Sequence, residues 1–396
     1  MNTPPRPTSA LRNVRPWGGV ASDILISQAG LITAIQPASA VPAAGGEIDG
    51  RGLLALPGLV NAHAHIDMSW LGFPWESYGG EGGTEGRIRY ERARRGEFGY
   101  PSADITARVL AEFVRHGTTT IRTHVDVDPD VDVRAIDAVR EAAASYDGAL
   151  TVEIIAFPQD GVLRHPGVLD MMREAARKGV EHLGGIDPAS IDRDPVGQLD
   201  AIFGLAAEYG TGIDIHLHDG GELGAFQFEL IIARTESLGL AGKVNIAHGF
   251  AVAQVGESRR RDLLQAMGAL DITMTTVAPL RLPQLPLHEM DAAGVRFAFG
   301  TDGIRDLWSP YGTGDLLGIA WQYARASGLV RDEDLRRVVE IATRDGGRFA
   351  GLDVHDLVVG SRADIVLLDA ENPMDALVRT PAREVVLGAG RLLYAG

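Results

Sequence analysis

"LPGLVNAHAHIDMSW", residues 56–70, decides the fold and opens the question of function. Leu56, Leu59 and Val60, around the Pro57-Gly58 pair, read as a strand entering a core. His63, His65 and Asp67 then arrive at alternate positions. Side chains alternate faces along a strand, so these three point one way while Ala62, Ala64 and Ile66 point the other. A buried strand that gathers two imidazoles and a carboxylate on one face calls for a common partner at that point.

The pattern repeats outward from this strand. Apolar, β-rich runs occur at 59–67, 118–127, 150–157, 182–187, 212–218, 243–249, 271–278 and 295–302. Most of the intervals carry helical periodicity, as in "ADITARVLAEFVRHG" (103–117) and "GQLDAIFGLAAEYG" (197–210). Strands separated by helices favour a parallel sheet, and eight of them close a (β/α)8 TIM barrel. An open doubly wound sheet would want a glycine-rich phosphate turn after its first strand. Neither "GGEGGTEG" (79–86) nor "GLAGKV" (239–244) has the spacing of one. Short strand patterns flank the α/β middle, at "DILISQAGLITAIQPA" (23–38) and "RADIVLLDAENP" (362–373). The expected organisation is a β-sandwich made from 1–56 and 346–396, with the catalytic barrel at 57–345.

Composition narrows the partners. A net charge of −16 over 396 residues argues against nucleic acid or an anionic membrane surface. All but Lys178 and Lys243 of the 37 basic residues are arginines, so anionic small substrates remain open. The chain has no cysteine, which removes disulfides, thiolate metal sites and thiol nucleophiles. No run of about 18 apolar residues is present to span a membrane, and no signal-peptide pattern opens the chain. A cytoplasmic protein acting on a small molecule is expected.

In a TIM barrel the chemistry sits at the C-terminal ends of the strands. Strand 1 ends in His63 and His65, strand 3 in "AFPQDG" with Gln159, and strand 6 in "IAHG" with His248. Strand 5, "GIDIHLHDGGE", puts Asp214, His216 and His218 on one face, and strand 8 ends in "FAFGTDG" with Asp302. Three imidazoles and a carboxylate from strands 1, 5 and 8 meet only at a shared barrel mouth. One divalent metal would satisfy them together, and imidazole with carboxylate suits Zn(II) or Fe(II). The segment "SWLGFPWESYGGEGGTEGRIRYERARR" (69–95) reads as a lid over that mouth or as a packing element. Trp70 and Trp75 of this segment, and Trp308 after strand 8, are the stacking candidates for a planar heteroaromatic ligand. His124 and Asp126 on strand 2 are expected to support the site from behind.

The motifs, in order, resemble the amidohydrolase superfamily and within it the cytosine deaminase-like branch. They are "DGRGLLALPGLVNAHAHID", "GTTTIRTHVDVD", "IIAFPQDG", "IDIHLHD", "IAHG", "FGTDGIRDLWSPYGTGDLL" and "GSRADIVLLDAENP". The resemblance implies one metal held by His63, His65, His216 and Asp302, because no lysine ends a strand to bridge two. It implies hydrolysis by a metal-activated hydroxide, with Asp302 taking the proton of the water and His248 hydrogen-bonding that water or polarising the electrophilic centre. It gives Asp219 a proton-shuttle role and Gln159 the reading of a cyclic amide edge.

Three positions depart from the branch: His218 stands where cytosine deaminases carry an acid, Gly303 where they carry an aspartate, and Asp219 where they carry a glutamate. The shuttle position itself is thus shorter. The implied activity is deamination of a cytosine-like or other nitrogen heterocycle. Cleavage of another C–N bond (amide, N-alkyl aminotriazine, carbamate or lactam) is the alternative, and a catalytically silent scaffold the least favoured. A homo-oligomer is expected. Asp67, with the metal already satisfied, becomes a pocket wall or a support.

Overall fold

A computed structural model describes residues 5–396. Nine parallel strands form the central sheet: β1 (Leu59–His65), β2 (Thr118–Asp126), β3 (Thr151–Phe157), β4 (His182–Ile186), β5 (Gly212–Leu217), β6 (Val244–His248), β7 (Thr273–Thr276), β8 (Phe297–Phe299) and β9 (Asp302–Gly303). Their order in space is β8-β7-β6-β5-β4-β3-β2-β1-β9. The eighth expected strand is thus broken. Its first half pairs with β7, and its second half, two residues on, pairs with β1 through Asp302↔Ala64 and Gly303↔His65. The sheet curls until these edges face each other. At that seam the Asn61 side chain donates to Thr301 Oγ1 (2.8 Å) and accepts from the Thr301 N–H (3.1 Å). Gly300 is required there, since a Cβ would lie 2.3 Å from His63 Cβ.

The helices cover the outside, and their ends follow local chemistry. Helix Pro195–Tyr209 starts with Asp194 accepting from the Gly197 N–H and with proline in its first turn; it stops at Gly210, in the left-handed conformation. β1 and β2 are buried along their whole length, on the strand-lining face as well as under the helices. That is why they read as continuous runs rather than as half-polar strands. Ala64 and Ile66 join the large core beneath the helices, while His63 and His65 face inward.

A second nine-stranded sheet takes strands from both ends of the chain. Leu54–Pro57, which runs straight into β1, pairs antiparallel with Ile365–Leu368, and Arg6–Pro7 pairs with Arg391–Ala395. Its own apolar core includes Leu11, Val14, Ile24, Ala55, Ile365 and Leu387. Buried Arg383 of this sheet pairs with Asp315, whose carboxylate caps helix Leu316–Ala326 by accepting from the Leu317 N–H.

The segment after β1 is not a bare loop. It contains a helix, Gly83–Arg94, followed by a single 3-10 turn at Arg95–Phe98. Trp70 is 1% exposed and packs inward, its Nε1–H donating to the Asp306 carbonyl (3.1 Å), with Arg305 over its ring. Trp75 is 68% exposed and touches Trp70 edge-on.

Candidate metal centre and cavity

The strand ends bring the histidines together. Asp302 Oδ1 lies 3.5 Å from His63 Nε2 and 3.4 Å from His65 Nε2, and His65 Nε2 lies 3.3 Å from His216 Nε2. Donor atoms of His63, His65 and Asp302 fall within 4.8 Å of one another, and so do those of His63, His216 and His248. Two ligand triads therefore share His63. Separations near 3.4 Å are the edges of a tetrahedron whose corners stand about 2.1 Å from its centre, the usual distance of imidazole nitrogen and carboxylate oxygen from zinc.

The buried His63 Nε2, His216 Nδ1 and both nitrogens of His248 have no hydrogen-bond partner. Orphaned lone pairs at such a density are costly unless something collects them, so this donor set fits a divalent ion. His248 and Asp302 hold left-handed backbone, φ 65° and 61°, which turns their side chains inward at the ends of β6 and β9.

Electrostatics prepares the same state. Burial pulls His65 down to about 4, and burial together with neighbouring imidazoles holds His124, His216 and His248 well below the ordinary histidine value. Burial alone would raise Asp302, but His63, 3.5 Å away, and the surrounding imidazoles keep it well below the usual carboxylate range. Neutral imidazoles beside an ionised carboxylate are the protonation states that a metal takes. Behind them His124 Nε2 lies 3.1 Å from His63 Nδ1, the supporting position expected of strand 2. Asp67, also buried, accepts from the Asp126 N–H (3.1 Å) and is raised to about 6, chiefly by burial.

In front of the cluster lies a cavity of about 870 Å³. His65, His216, His218, His248 and Asp302 line its strand side. His218 is set apart from the other imidazoles by Asp187, which ends β4 with φ 34°. Asp187 Oδ2 lies 2.8 Å from His218 Nδ1, and this carboxylate overcomes burial to raise His218 above its ordinary value. The His218 ring lies over that of His248, centroids 4.3 Å apart.

Three expected substrate groups are placed differently from the reading of the sequence. Asp219 is not brought to the cavity: its carboxylate accepts from Ser190 Oγ and from Gln227 Nε2 (3.0 Å). Gln159 reaches the cavity, but its amide nitrogen is taken, donating to Glu91 Oε1 (2.8 Å) and Asp126 Oδ2 (3.3 Å). Of the three tryptophans only Trp308 lines the cavity, with Arg87 over its ring at 5.9 Å. The helix after β1 supplies the polar wall instead, through Thr84, Arg87 and Glu91. Nothing in the sequence singles out Glu91, one charge in a helix full of them, or Asp187, whose role depends on a turn that aims it at the start of the next loop.

A model of the amidohydrolase family matches residues 54–389. The chain belongs to the amidohydrolase family. The N-isopropylammelide isopropylaminohydrolase of Burkholderia multivorans superposes with a TM-score of 0.91 at 38% identity, over 97% of each chain. The 5-methylcytosine deaminase of Klebsiella pneumoniae, liganded with 5-fluorocytosine, gives 0.83 at 25% identity, over 98% of this chain and 97% of its own. The N-isopropylammelide isopropyl amidohydrolase of Pseudomonas sp. (strain ADP) is 28% identical over 358 residues, 88% of this chain and 87% of the relative. The resemblance read from the motifs is borne out. This amidohydrolase is a metal-dependent hydrolase of C–N bonds, and its relatives act on small molecules. No helix among the described residues is long and apolar enough to cross a membrane.

Proposed function

We propose that the enzyme cleaves an exocyclic C–N bond of a nitrogen heterocycle, releasing ammonia or an amine. The observation that carries this reading is the cavity with neutral imidazoles and ionised Asp302 on one side and the Asp187–His218 pair beside them. His63, His65, His216 and Asp302 would hold a single divalent ion, Zn(II) or Fe(II). When bound, that ion supplies Lewis acidity and lowers the pKa of a coordinated water to about 7.

The chain's own groups do the rest. Asp302 accepts the proton of the attacking water. His248, with no protein partner for either nitrogen, hydrogen-bonds the charge that develops on the ring as it becomes tetrahedral. Asp187 fixes His218 through Nδ1 and leaves Nε2 facing the cavity, so His218 delivers the proton to the departing nitrogen. It takes the shuttle role expected of Asp219, which is engaged by Ser190 and Gln227. Phe250, Leu280 and Leu282 add apolar lining beyond what a bare amino group needs, which favours an alkylamine as the leaving group.

The curled sheet is read as the closed (β/α)8 barrel of 57–345, and the terminal sheet as a β-sandwich from 1–56 and 346–396. The setting proposed is a cytoplasmic homo-oligomer, to be checked by light scattering and cell fractionation. The test of function is amine and ammonia release by zinc- or iron-loaded protein from amino- and alkylamino-pyrimidines and triazines. Turnover of these rings is expected; turnover of open-chain amides or carbamates alone would sink the proposal.

A further inference from the structure

The cavity wall opposite the histidines hangs on one helix whose two ends are held very differently. Helix Gly83–Arg94 buries only Gly86, Ile88 and Glu91 of its twelve residues. It is entered through Gly82, φ 91°, without a side-chain cap, and its first turn is tied by an exposed pair, Arg164 with Glu85 at 2.8 Å. Thr84, Arg87 and Glu91 recur at the helical period and share the cavity face. Ile88, Arg92 and Arg95 form the next stripe round, which meets the segments that leave β2 and β3: Ile88 packs on Phe157, and the two arginines meet carboxylates.

The firm end is the C-terminal one. Arg95, 5% exposed, grips Asp128, 2% exposed, with two prongs: Nη1 donates to Oδ2 at 2.6 Å and Nη2 to Oδ1 at 2.9 Å. Nη2 also donates to Asp130 Oδ2 at 3.0 Å, and Asp126 Oδ2 lies 3.9 Å from Nη1. Asp128 is itself fixed, because its Oδ1 accepts from the Asp130 and Val131 N–H groups at 2.8 and 3.2 Å. Arg92 pairs with Asp160 and lies 3.5 Å from Asp128. Asp160 follows Gln159, which donates to Glu91, so neighbouring residues of the helix hold neighbouring residues of the loop after β3. A planar fork on a carboxylate fixes direction as well as distance. Direction matters here, since Thr84 lies about 16 Å along the axis from Arg95, and a tilt of about 10° would move it by about 3 Å.

Resting on the reading of this cavity as the substrate site, we propose that Arg95 and Asp128 are positioning residues, a buried latch that sets where Thr84, Arg87 and Glu91 stand over the substrate. Neither residue lines the cavity. Removing one partner leaves the other charge buried and unpaired, and the helix end must then lift to let water reach it. The donor cluster on the opposite wall stays in place, so the latch governs how well substrate is held rather than how fast it reacts. Asp128→Asn isolates this effect: its Oδ1 still accepts the two turn N–H groups, while an NH2 group now faces both guanidinium groups.

Hydrogen exchange of the zinc-loaded enzyme, read by mass spectrometry, tests the latch without turnover. Asp128→Asn and Arg95→Ala should each speed exchange of the amides of 83–94 at least about tenfold while β1, β5 and β6 stay protected. For the alkylamino-pyrimidine or -triazine turned over best, KM should rise at least about tenfold, with kcat within about threefold and bound zinc unchanged. Guanidinium ion at millimolar concentration, far too dilute to denature, should restore both readouts in Arg95→Ala, and sodium chloride should not. If no ring is turned over, the hydrolytic assignment fails, and exchange with its guanidinium rescue still decides the latch. Four results would overturn the proposal in whichever variant folds: unchanged exchange over 83–94, exchange raised alike through the barrel, a fall in kcat with KM kept, or, for Arg95→Ala, no response to guanidinium.

Discussion

On one side of the cavity His63, His65, His216, His248 and Asp302 stand at the ends of β1, β5, β6 and β9. β1, β5 and β6 are buried almost throughout and β9 is half-buried, and all four pair with neighbours in the sheet. On the other side Thr84, Arg87 and Glu91 ride on one twelve-residue helix, entered through left-handed Gly82 with no side-chain cap. The first wall is part of the core and holds the donor cluster that could take a metal ion. The second is a helix laid over the cavity, which it lines with polar groups. If the cavity is the substrate site, changes in the helix are expected to alter the substrate without disturbing the donor cluster.

Substitutions on the strand side test the comparison most severely. His216→Ala should lower bound metal, measured by elemental mass spectrometry, and reduce kcat/KM by roughly three orders of magnitude while circular dichroism stays unchanged. Retained metal and activity would break the assignment of that wall. Asp302→Asn should cost about 10²–10⁴-fold in kcat through loss of the proton acceptor. Asp187→Asn removes the carboxylate that orients His218, and a fall of roughly 10–100-fold in kcat is expected with KM little changed. A loss confined to KM would make His218 a binding group only.

Stability sharpens the contrast on the insertion side. Trp70→Ala should destabilise by about 3–5 kcal/mol in denaturant titration, as for a fully buried aromatic, and Trp75→Ala by less than about 0.5 kcal/mol. The Glu91 carboxyl is raised from its ordinary 4.5 to about 8, so the folded state holds a proton that the unfolded chain has released. Its contribution is complete below pH 4.5 and is lost as pH rises through 8. Asp306, raised to about 7, acts in the same direction. The Tm should therefore fall by a few degrees between pH 6 and pH 9, and less so in Glu91→Gln. An identical slope in the variant would mean that Glu91 does not titrate there.

The same division governs what could be read before any coordinates. His63, His65, His216 and His218 are legible because a strand's period of two places them, and Asp302 because it ends the last strand pattern. The parallel order of the strands follows from their alternation with helices. The break between β8 and β9 does not, since it depends on a glycine approaching His63 across the seam. Glu91 lies in "GRIRYERARR", which reads as a solvated helix; only docking of that helix over the cavity buries it. Asp219 has the spacing of a shuttle, but Ser190, 29 residues earlier, and Gln227, on the helix that follows, decide where it points. Trp70 and Trp75 look alike in sequence and end at 1% and 68% exposure, a difference made by tertiary packing alone.

The pairing of Leu54–Pro57 with Ile365–Leu368 also sets a schedule for synthesis. The strand that leads into β1 leaves the ribosome roughly 300 residues before its partner, an interval of about 15–60 s at ordinary elongation rates. Throughout that time an apolar strand edge has no mate, beside a sheet whose own seam waits for β9. Such an edge invites pairing with other nascent chains, so the yield of active enzyme should depend on chaperone supply and translation speed more than the stability of the finished fold would suggest.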